Sequence, residues 1–177
     1  LTFESAYGKL CMKLAFAFQD YQFLLDDDAI SDDDKGIFKR ILGRTASMDE
    51  TKSCFLLLTR MLEIHFKKSA VVILDEYDVP IAKASSNGYY SQMLDVMRAM
   101  MSTTLKDNIS LDFAVVTGCL KIAKESIFTG TNNFVSDTIL SPRLSESFGF
   151  TQADVDQMLK DASLESQSAE IKAWYDG

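Results

Sequence analysis

The feature that most constrains this chain of 177 residues is a short apolar run, Val71-Val72-Ile73-Leu74, which ends abruptly in Asp75-Glu76. Four consecutive apolar residues, three of them β-branched, are typical of a strand buried in a parallel sheet. Parallel strands need long crossover connections, which are usually helices that pack on the sheet. The run therefore predicts an α/β domain in which two carboxylates follow the carboxyl end of a strand.

A second strand is predicted at Phe113-Ala114-Val115-Val116, directly before Thr117-Gly118. Between the two strands, from about Gly88 to Leu105, apolar residues recur at helical spacing, which favours core packing over a binding surface. The apolar stripe consists of Tyr90, Met93, Leu94, Met97, Met100 and Met101. A strand, a helix and a strand in this order form a right-handed βαβ unit. We expect a helix-rich α/β fold with parallel strands at about 71–75 and 112–117.

Apolar spacing and capping residues predict the remaining elements. Before the first strand, helices are expected at about Glu4–Leu25 and Asp49–Phe66. After Gly118 we expect a loop at 126–133, a short strand at 134–140, a helix that begins at the capping residue Thr151 and extends through Leu159, and a final helix that leads to Trp174. The sequence contains no internal repeat, and its two prolines do not mark a flexible linker.

Composition excludes several classes of function. The chain carries 26 acidic and 18 basic residues, a formal net charge of -8, and binding to phosphate polymers depends on basic residues that release counterions. We therefore expect no direct nucleic-acid binding. No apolar run approaches the length of a membrane span, so no membrane partner is expected. Three scattered cysteines are typical of reduced thiols, and we expect a cytoplasmic protein.

The Asp-Glu pair at a strand end has the form of a Walker B motif. In open parallel sheets, ligands bind outside the carboxyl ends of the strands. Asp75 is expected to hold Mg²⁺, usually through water, and Glu76 to orient or activate an attacking water. Thr117, at the end of the neighbouring strand, is placed to sense a γ-phosphate. The phosphate-binding loop Gly-x-x-x-x-Gly-Lys-[Ser/Thr], however, occurs nowhere in the sequence.

These motifs resemble the predicted AAA-ATPase-like family of bacteria. The resemblance begins with the stretch Val71 to Ile81, which contains Asp75-Glu76-Tyr77-Asp78. It continues through residues 105–108, 116–128, Gly130, 132–134, 148–151 and 174–177. The similar motifs occur in the same order along nearly the whole chain, which makes the resemblance specific.

The resemblance implies a partial P-loop NTPase core of three layers, with ATP and Mg²⁺ as cofactors of the full-length protein. It implies catalytic roles for Glu76 and Thr117, metal and cofactor binding by Asp75, and cofactor binding by Asn132 and Asn133. Lys121 stands where related sequences often have Arg, which puts an arginine-type sensor there in doubt.

The family's organisation implies further parts. Its members carry a P-loop upstream, and many have a nuclease-like domain downstream; neither is found in this sequence. We therefore expect 1–147 to be an ATPase-like core without its P-loop and 148–177 to begin a helical lid. As a fragment, the chain is expected to bind no ATP or Mg²⁺ and to be inactive. The missing upstream segment is the expected partner, and the uncovered flank predicts a homo-oligomer or a rearranged sheet.

Two other functions compete with a partial ATPase. The chain could be a non-catalytic protein-interaction module with a degenerate nucleotide site. It could also be a metal-dependent nuclease that uses Asp75, Glu76 and Lys83. The second Glu-x-Lys motif, Glu170-Ile171-Lys172, lies in a predicted helix, whereas nuclease ligands of this type lie on a strand.

Overall fold

The computed structural model describes residues 2–119, 135–138, 141–144 and 146–175. These residues form a helix-rich α/β structure with two parallel strands. The chain divides into two compact units, Leu1–Asn132 and Asn133–Gly177. Among the described residues, none of the helices combines the length and the hydropathy that a membrane span requires.

The first unit contains six α-helices, one 3₁₀ helix and two strands within its described part. In chain order, they are α1 (Phe3–Gln19), a short 3₁₀ helix (Gln22–Asp26), α2 (Asp32–Leu42), α3 (Met48–Lys52), α4 (Cys54–Phe66), β1 (Ala70–Leu74), α5 (Val79–Asn87), α6 (Tyr90–Leu105) and β2 (Leu111–Val116). The predicted strands at 71–75 and 112–117 are therefore present, each displaced by one residue.

Two of the predicted helices are divided. The helix expected at Glu4–Leu25 ends at Gln19 and is followed by the 3₁₀ helix. The helix expected at Asp49–Phe66 is interrupted at Ser53, whose backbone N–H still donates to carbonyls of α3. Helix α3 begins with a capping box, in which Ser47 and Glu50 each accept a hydrogen bond from the other's backbone N–H.

Helix α5 is the element that periodicity missed. Pro80 lies in its first turn, where the absent N–H of proline removes no helical hydrogen bond. Gly88 ends α5 in the left-handed conformation at φ 82°, which glycine adopts without steric cost. Helix α6 begins two residues later and corresponds to the helix predicted from Gly88 to Leu105.

The two strands pair in parallel, with a register shift between Ala70 and Val71. Val71 lies beside Phe113, and Ile73 beside Val115. All four of these side chains are exposed, whereas Leu74 packs against the core. The apolar run predicted burial on both faces. That prediction is wrong for the described part of the chain, where one face of the sheet is uncovered.

The core of the first unit lies mainly among its helices. The rings of Phe18 and Phe38 are tilted against each other with centroids 4.9 Å apart, and neither side chain is exposed. The four methionines and Leu94 of the predicted α6 stripe are buried, which confirms core packing for them, whereas Tyr90 at the start of the helix is exposed. Apolar burial of this kind contributes about 1.5–3 kcal/mol for each large side chain.

The second unit contains a 3₁₀ helix (Pro142–Leu144), α7 (Gln152–Asp161), another 3₁₀ helix (Glu165–Gln167) and α8 (Ser168–Tyr175). Thr151 and Asp154 form the predicted capping box of α7. The strand expected at 134–140 is absent from residues 135–138, the part of that stretch that the structure describes. The loop expected at 126–133 lies outside the described residues. The predicted division into 1–147 and 148–177 remains a prediction.

Candidate functional site

The candidate site is formed where the two strands end side by side. Because Leu74 pairs with Val116, the next residues, Asp75 and Thr117, also become neighbours. The backbone N–H of Thr117 donates to the carbonyl oxygen of Leu74 at 2.9 Å, and that of Tyr77 donates to the carbonyl oxygen of Thr117 at 3.2 Å. Backbone pairing thus continues beyond the strands and holds the two chain segments together.

The carboxylate of Asp75 is oriented through one of its oxygens. The Oγ1 hydroxyl of Thr117 donates to Oδ1 of Asp75, and the backbone N–H of Glu76 donates to the same oxygen at 2.9 Å. In the described part of the chain, no donor reaches Oδ2. Asp75 is exposed, so this second oxygen is accessible to a hydrated cation.

Glu76 lies next to this carboxylate in a strained backbone conformation. Its φ of 52° is in the left-handed region, which side chains other than glycine rarely adopt. The chain leaves the extended strand at this residue, and the side chain is exposed. Strained residues of this kind cluster at functional sites, where the surrounding structure holds them in place.

Tyr77 and Asp78 pack against the other strand end at Gly118. A Cβ atom placed on Gly118 would lie 2.6 Å from Oδ1 of Asp78 and 2.7 Å from Cε1 of Tyr77, closer than atoms can approach. Asp78 is buried, at 3% exposure. Burial of the phenol raises the pKa of Tyr77, and the nearby charge of Asp78 raises it further.

The donor set suits Mg²⁺ better than a metal held by many protein ligands. Among the described residues, no group of three or more His, Cys, Asp or Glu side chains could enclose a metal ion. Mg²⁺ usually keeps several waters and binds through one or two carboxylates and the phosphates of a substrate. Asp75, with Glu76 beside it, supplies carboxylates of this kind at an open edge.

The structure brings together only some of the predicted site residues. Asp75, Glu76 and Thr117 are adjacent, whereas Asn132 and Asn133 lie outside the described residues, as does Lys121. Their proposed roles remain predictions.

The geometry does not favour the nuclease hypothesis. Lys83 is exposed on helix α5, and the Glu170–Lys172 motif lies in helix α8. The lysine of such a nuclease would be expected on a strand, beside the carboxylates. Neither lysine is placed in that way.

Sequence reasoning missed the contact between Gly118 and the Tyr77-Asp78 pair. The pair was identified only as part of the motif Asp75-Glu76-Tyr77-Asp78, and it was not connected to the neighbouring strand. One signal was available. Gly118 directly follows Thr117, for which a catalytic role is predicted, and a glycine at such a place often marks a close approach of another part of the chain.

Two surface hollows lie away from the strand ends. One is lined by Leu62, Phe66 and residues 68–71, near the amino end of β1. The other lies between α1 and the loop after α2, with Tyr7, Cys11 and Arg44 in its wall. Neither of these two hollows contains Asp75, Glu76 or Thr117.

Comparisons with known proteins identify a family for this chain. A family model described as a predicted AAA-ATPase matches residues 13–128. An uncharacterized protein in the vnfD 5′ region of Azotobacter chroococcum mcd 1 is 30% identical over 142 residues, which is 80% of this chain. The matched region spans only 27% of that relative's length. No solved structure matches the chain.

Proposed function

Because the chain belongs to the predicted AAA-ATPase family, we propose that it forms the Walker B and sensor part of an ATP-hydrolysing domain. The observation that carries this proposal is the pairing of Asp75 with Thr117 at two adjacent parallel strand ends. Ligands of open parallel sheets bind at this edge.

Each residue has a role that its position supports. Asp75 would hold a hydrated Mg²⁺ through its second carboxylate oxygen, while its Oδ1 is held by Thr117 and by the backbone of Glu76. Glu76 accepts a hydrogen bond from the attacking water and orients it. Thr117 joins the end of β2 to the metal-side carboxylate. Mg²⁺, when bound, neutralises the charge that develops on the phosphates.

The phosphates of ATP require a part of the protein that is not in this sequence. Successive backbone N–H groups of a glycine-rich loop form the usual cradle, and none occurs among these 177 residues. We propose that another segment of the protein supplies that loop and completes a three-layer P-loop core. The much greater length of the matched relative is compatible with such a segment.

Mg-ATP binding and phosphate release by the whole protein test this function. A ligand at 100 times its dissociation constant stabilises a protein by about 2.7 kcal/mol, which thermal unfolding detects. We expect this shift in the whole protein and no shift in the 177-residue chain alone. A whole protein that neither binds Mg-ATP nor releases phosphate would refute the proposal.

Substitutions at the strand end separate binding from turnover. Glu76→Gln should keep Mg-ATP binding and lower phosphate release by about 10²–10⁴-fold, the usual contribution of a positioned base. Asp75→Asn should weaken Mg²⁺-dependent binding. Asp112→Asn is the matched control, because Asp112 is an exposed carboxylate in β2 before Phe113, and it should leave both properties unchanged. Hydrolysis that survives in Glu76→Gln would remove Glu76 from its role.

The non-catalytic interaction module remains the second candidate function. The uncovered apolar face of the sheet favours it, since exposed apolar patches mark interaction surfaces. This face consists of Val71, Ile73, Phe113 and Val115. The module would bind its partner equally well in the wild type and in the Glu76→Gln variant, without phosphate release.

A further inference from the structure

A tight packing contact beside the candidate site involves Tyr77, Asp78 and Gly118, to which the proposed ATPase mechanism assigns no task. Gly118 has no room for a side chain, because an added Cβ would lie 2.6–2.9 Å from the carboxylate of Asp78 and the ring of Tyr77. Glycine is needed where a side chain or another backbone comes this close. Any larger residue must displace the Asp78 carboxylate and the Tyr77 ring, or move the turn after β1 away from the end of β2.

This contact lies directly beside the residues that are proposed to act. Tyr77 follows Glu76 in the chain, and Gly118 follows Thr117. The hydrogen bond from Tyr77 N–H to the Thr117 carbonyl, 3.2 Å long, lies between the contact and the Asp75–Thr117 pair. A displacement of Gly118 against Tyr77 is therefore transmitted to the hydrogen bond between Thr117 and Asp75.

The turn is anchored on the other side by helix α5. The carbonyl oxygen of Asp78 accepts hydrogen bonds from the N–H groups of Ile81 at 3.1 Å and Ala82 at 2.9 Å. Ile81 is 1% exposed and belongs to the hydrophobic core. Helix α5 thus ties Asp78, which is itself buried, to the rigid interior of the unit.

We propose that Tyr77 and Asp78, packed against Gly118, are positioning residues that hold Asp75 and Glu76 in register with Thr117. This inference rests on the proposed function, because Asp75, Glu76 and Thr117 carry the proposed chemistry. We call the packing of Tyr77 and Asp78 against Gly118 the clamp. Whether the clamp holds the two strand ends together can be measured without any nucleotide.

Hydrogen exchange of the whole protein tests the clamp directly. The backbone amides of Tyr77 and Thr117 are hydrogen-bonded across the strand ends. In Gly118→Ala, we expect them to exchange at least tenfold faster, while amides in the centre of α6 keep their rates. Gly8→Ala is the matched control, since no atom lies within 4 Å of its added Cβ. Unchanged exchange at Tyr77 and Thr117 would overturn the proposal.

A second variant covers the case in which Gly118→Ala does not fold. Tyr77→Leu removes the ring from Gly118 without adding atoms, and the same two amides should again exchange faster. Unchanged exchange at both amides in Tyr77→Leu would show that the ring does not hold the two strand ends together.

Kinetics of the whole protein connect the clamp to turnover. If the clamp positions the site, Gly118→Ala should lower kcat for Mg-ATP hydrolysis about tenfold and change KM less than twofold, whereas Gly8→Ala should change neither. An unchanged kcat in a variant with faster exchange would overturn the positioning role. If neither the wild type nor any variant releases phosphate, the proposed function is wrong. Hydrogen exchange at the amides of Tyr77 and Thr117 still shows whether the clamp exists.

Discussion

At the scale of single residues, the turn after β1 combines an oriented carboxylate with a strained neighbour. Asp75 is held through Oδ1 by two donors. Glu76 has a φ of 52° and an exposed side chain. A residue in this conformation costs of the order of 1–3 kcal/mol, which the surrounding contacts must offset.

Glu76→Gly should therefore stabilise the folded protein while it abolishes turnover. Glycine relieves the left-handed conformation and loses some of that gain through its greater unfolded-state entropy, so we expect a net gain of about 1 kcal/mol. Urea unfolding measures this change. The control is Glu63→Gly, which lies inside helix α4 and should destabilise by about 1 kcal/mol. A Glu76→Gly variant that is destabilised like the control would show that the turn is not strained.

At the scale of elements, the start of helix α3 is the best-defined local structure. Glu50 completes the capping box and also accepts a hydrogen bond from Nε of Arg40 in α2, at 3.0 Å. The hydrogen bond from Arg40, followed by that from the Ser47 N–H, lowers the pKa of Glu50 to about 2. One side chain thus links the end of α2 to the start of α3.

The stability contributed by Glu50 should depend on pH. Because its pKa is lower in the folded state than the ordinary 4.5, the folded state binds fewer protons, and the contribution is complete above pH 4.5. It should be lost as the pH falls from 4.5 toward 2. The difference in Tm between the wild type and Glu50→Gln should therefore shrink over this range.

An uncharged comparison controls for general acid effects on that difference. Thr59→Val removes hydrogen bonds between the Thr59 hydroxyl and backbone carbonyls of α4. Its difference in Tm from the wild type should stay constant between pH 6 and pH 2.5. If the Glu50→Gln difference stays constant as well, the contact with Arg40 does not contribute to stability.

Local sequence signals account for how well each element was predicted. The two strands and helix α6 followed from the pattern of apolar residues, because that pattern reports which face is buried. Helix α5 is short, and its apolar residues Ile81 and Ala84 form too small a stripe to stand out. Pro80 and Gly88, at its two ends, were the available signals.

At the scale of the whole molecule, the uncovered face of the sheet leaves large apolar side chains exposed to solvent in the described part of the first unit. Ile73 is 72% exposed and Phe113 53% exposed, although parallel sheets are normally covered on both faces. We propose that this face leads to self-association of the chain, because exposed apolar surface and open strand edges recruit other chains. An additional segment of the protein would compete for the same face.

The combined variant Ile73→Thr and Phe113→Thr tests this surface. Threonine keeps the preference for strand structure and removes apolar area, so self-association at micromolar concentration should decrease. Sedimentation velocity gives the mass of the species. Ile109→Thr is the control, because Ile109 is 91% exposed but precedes β2, and it should leave the mass unchanged. A wild-type chain that is monomeric over this range would exclude the proposal.

The amino-acid sequence was sufficient to predict the two strands, a helix between them and the carboxylates at the strand end. It also established that this chain contains no glycine-rich phosphate loop. All of these are local properties, because hydrophobic period, capping and motif spacing depend on residues close together in the chain. The resemblance to the predicted AAA-ATPase-like family rests on the same local motifs, and the family match confirms it.

The contacts between residues across the strand ends became visible only in the folded structure. The register of β1 and β2 joins residues about 40 positions apart, and it places Asp75 against Thr117 and the Tyr77-Asp78 pair against Gly118. The same register leaves four apolar side chains on an uncovered face. Such contacts depend on how two distant segments pack, which no local pattern records.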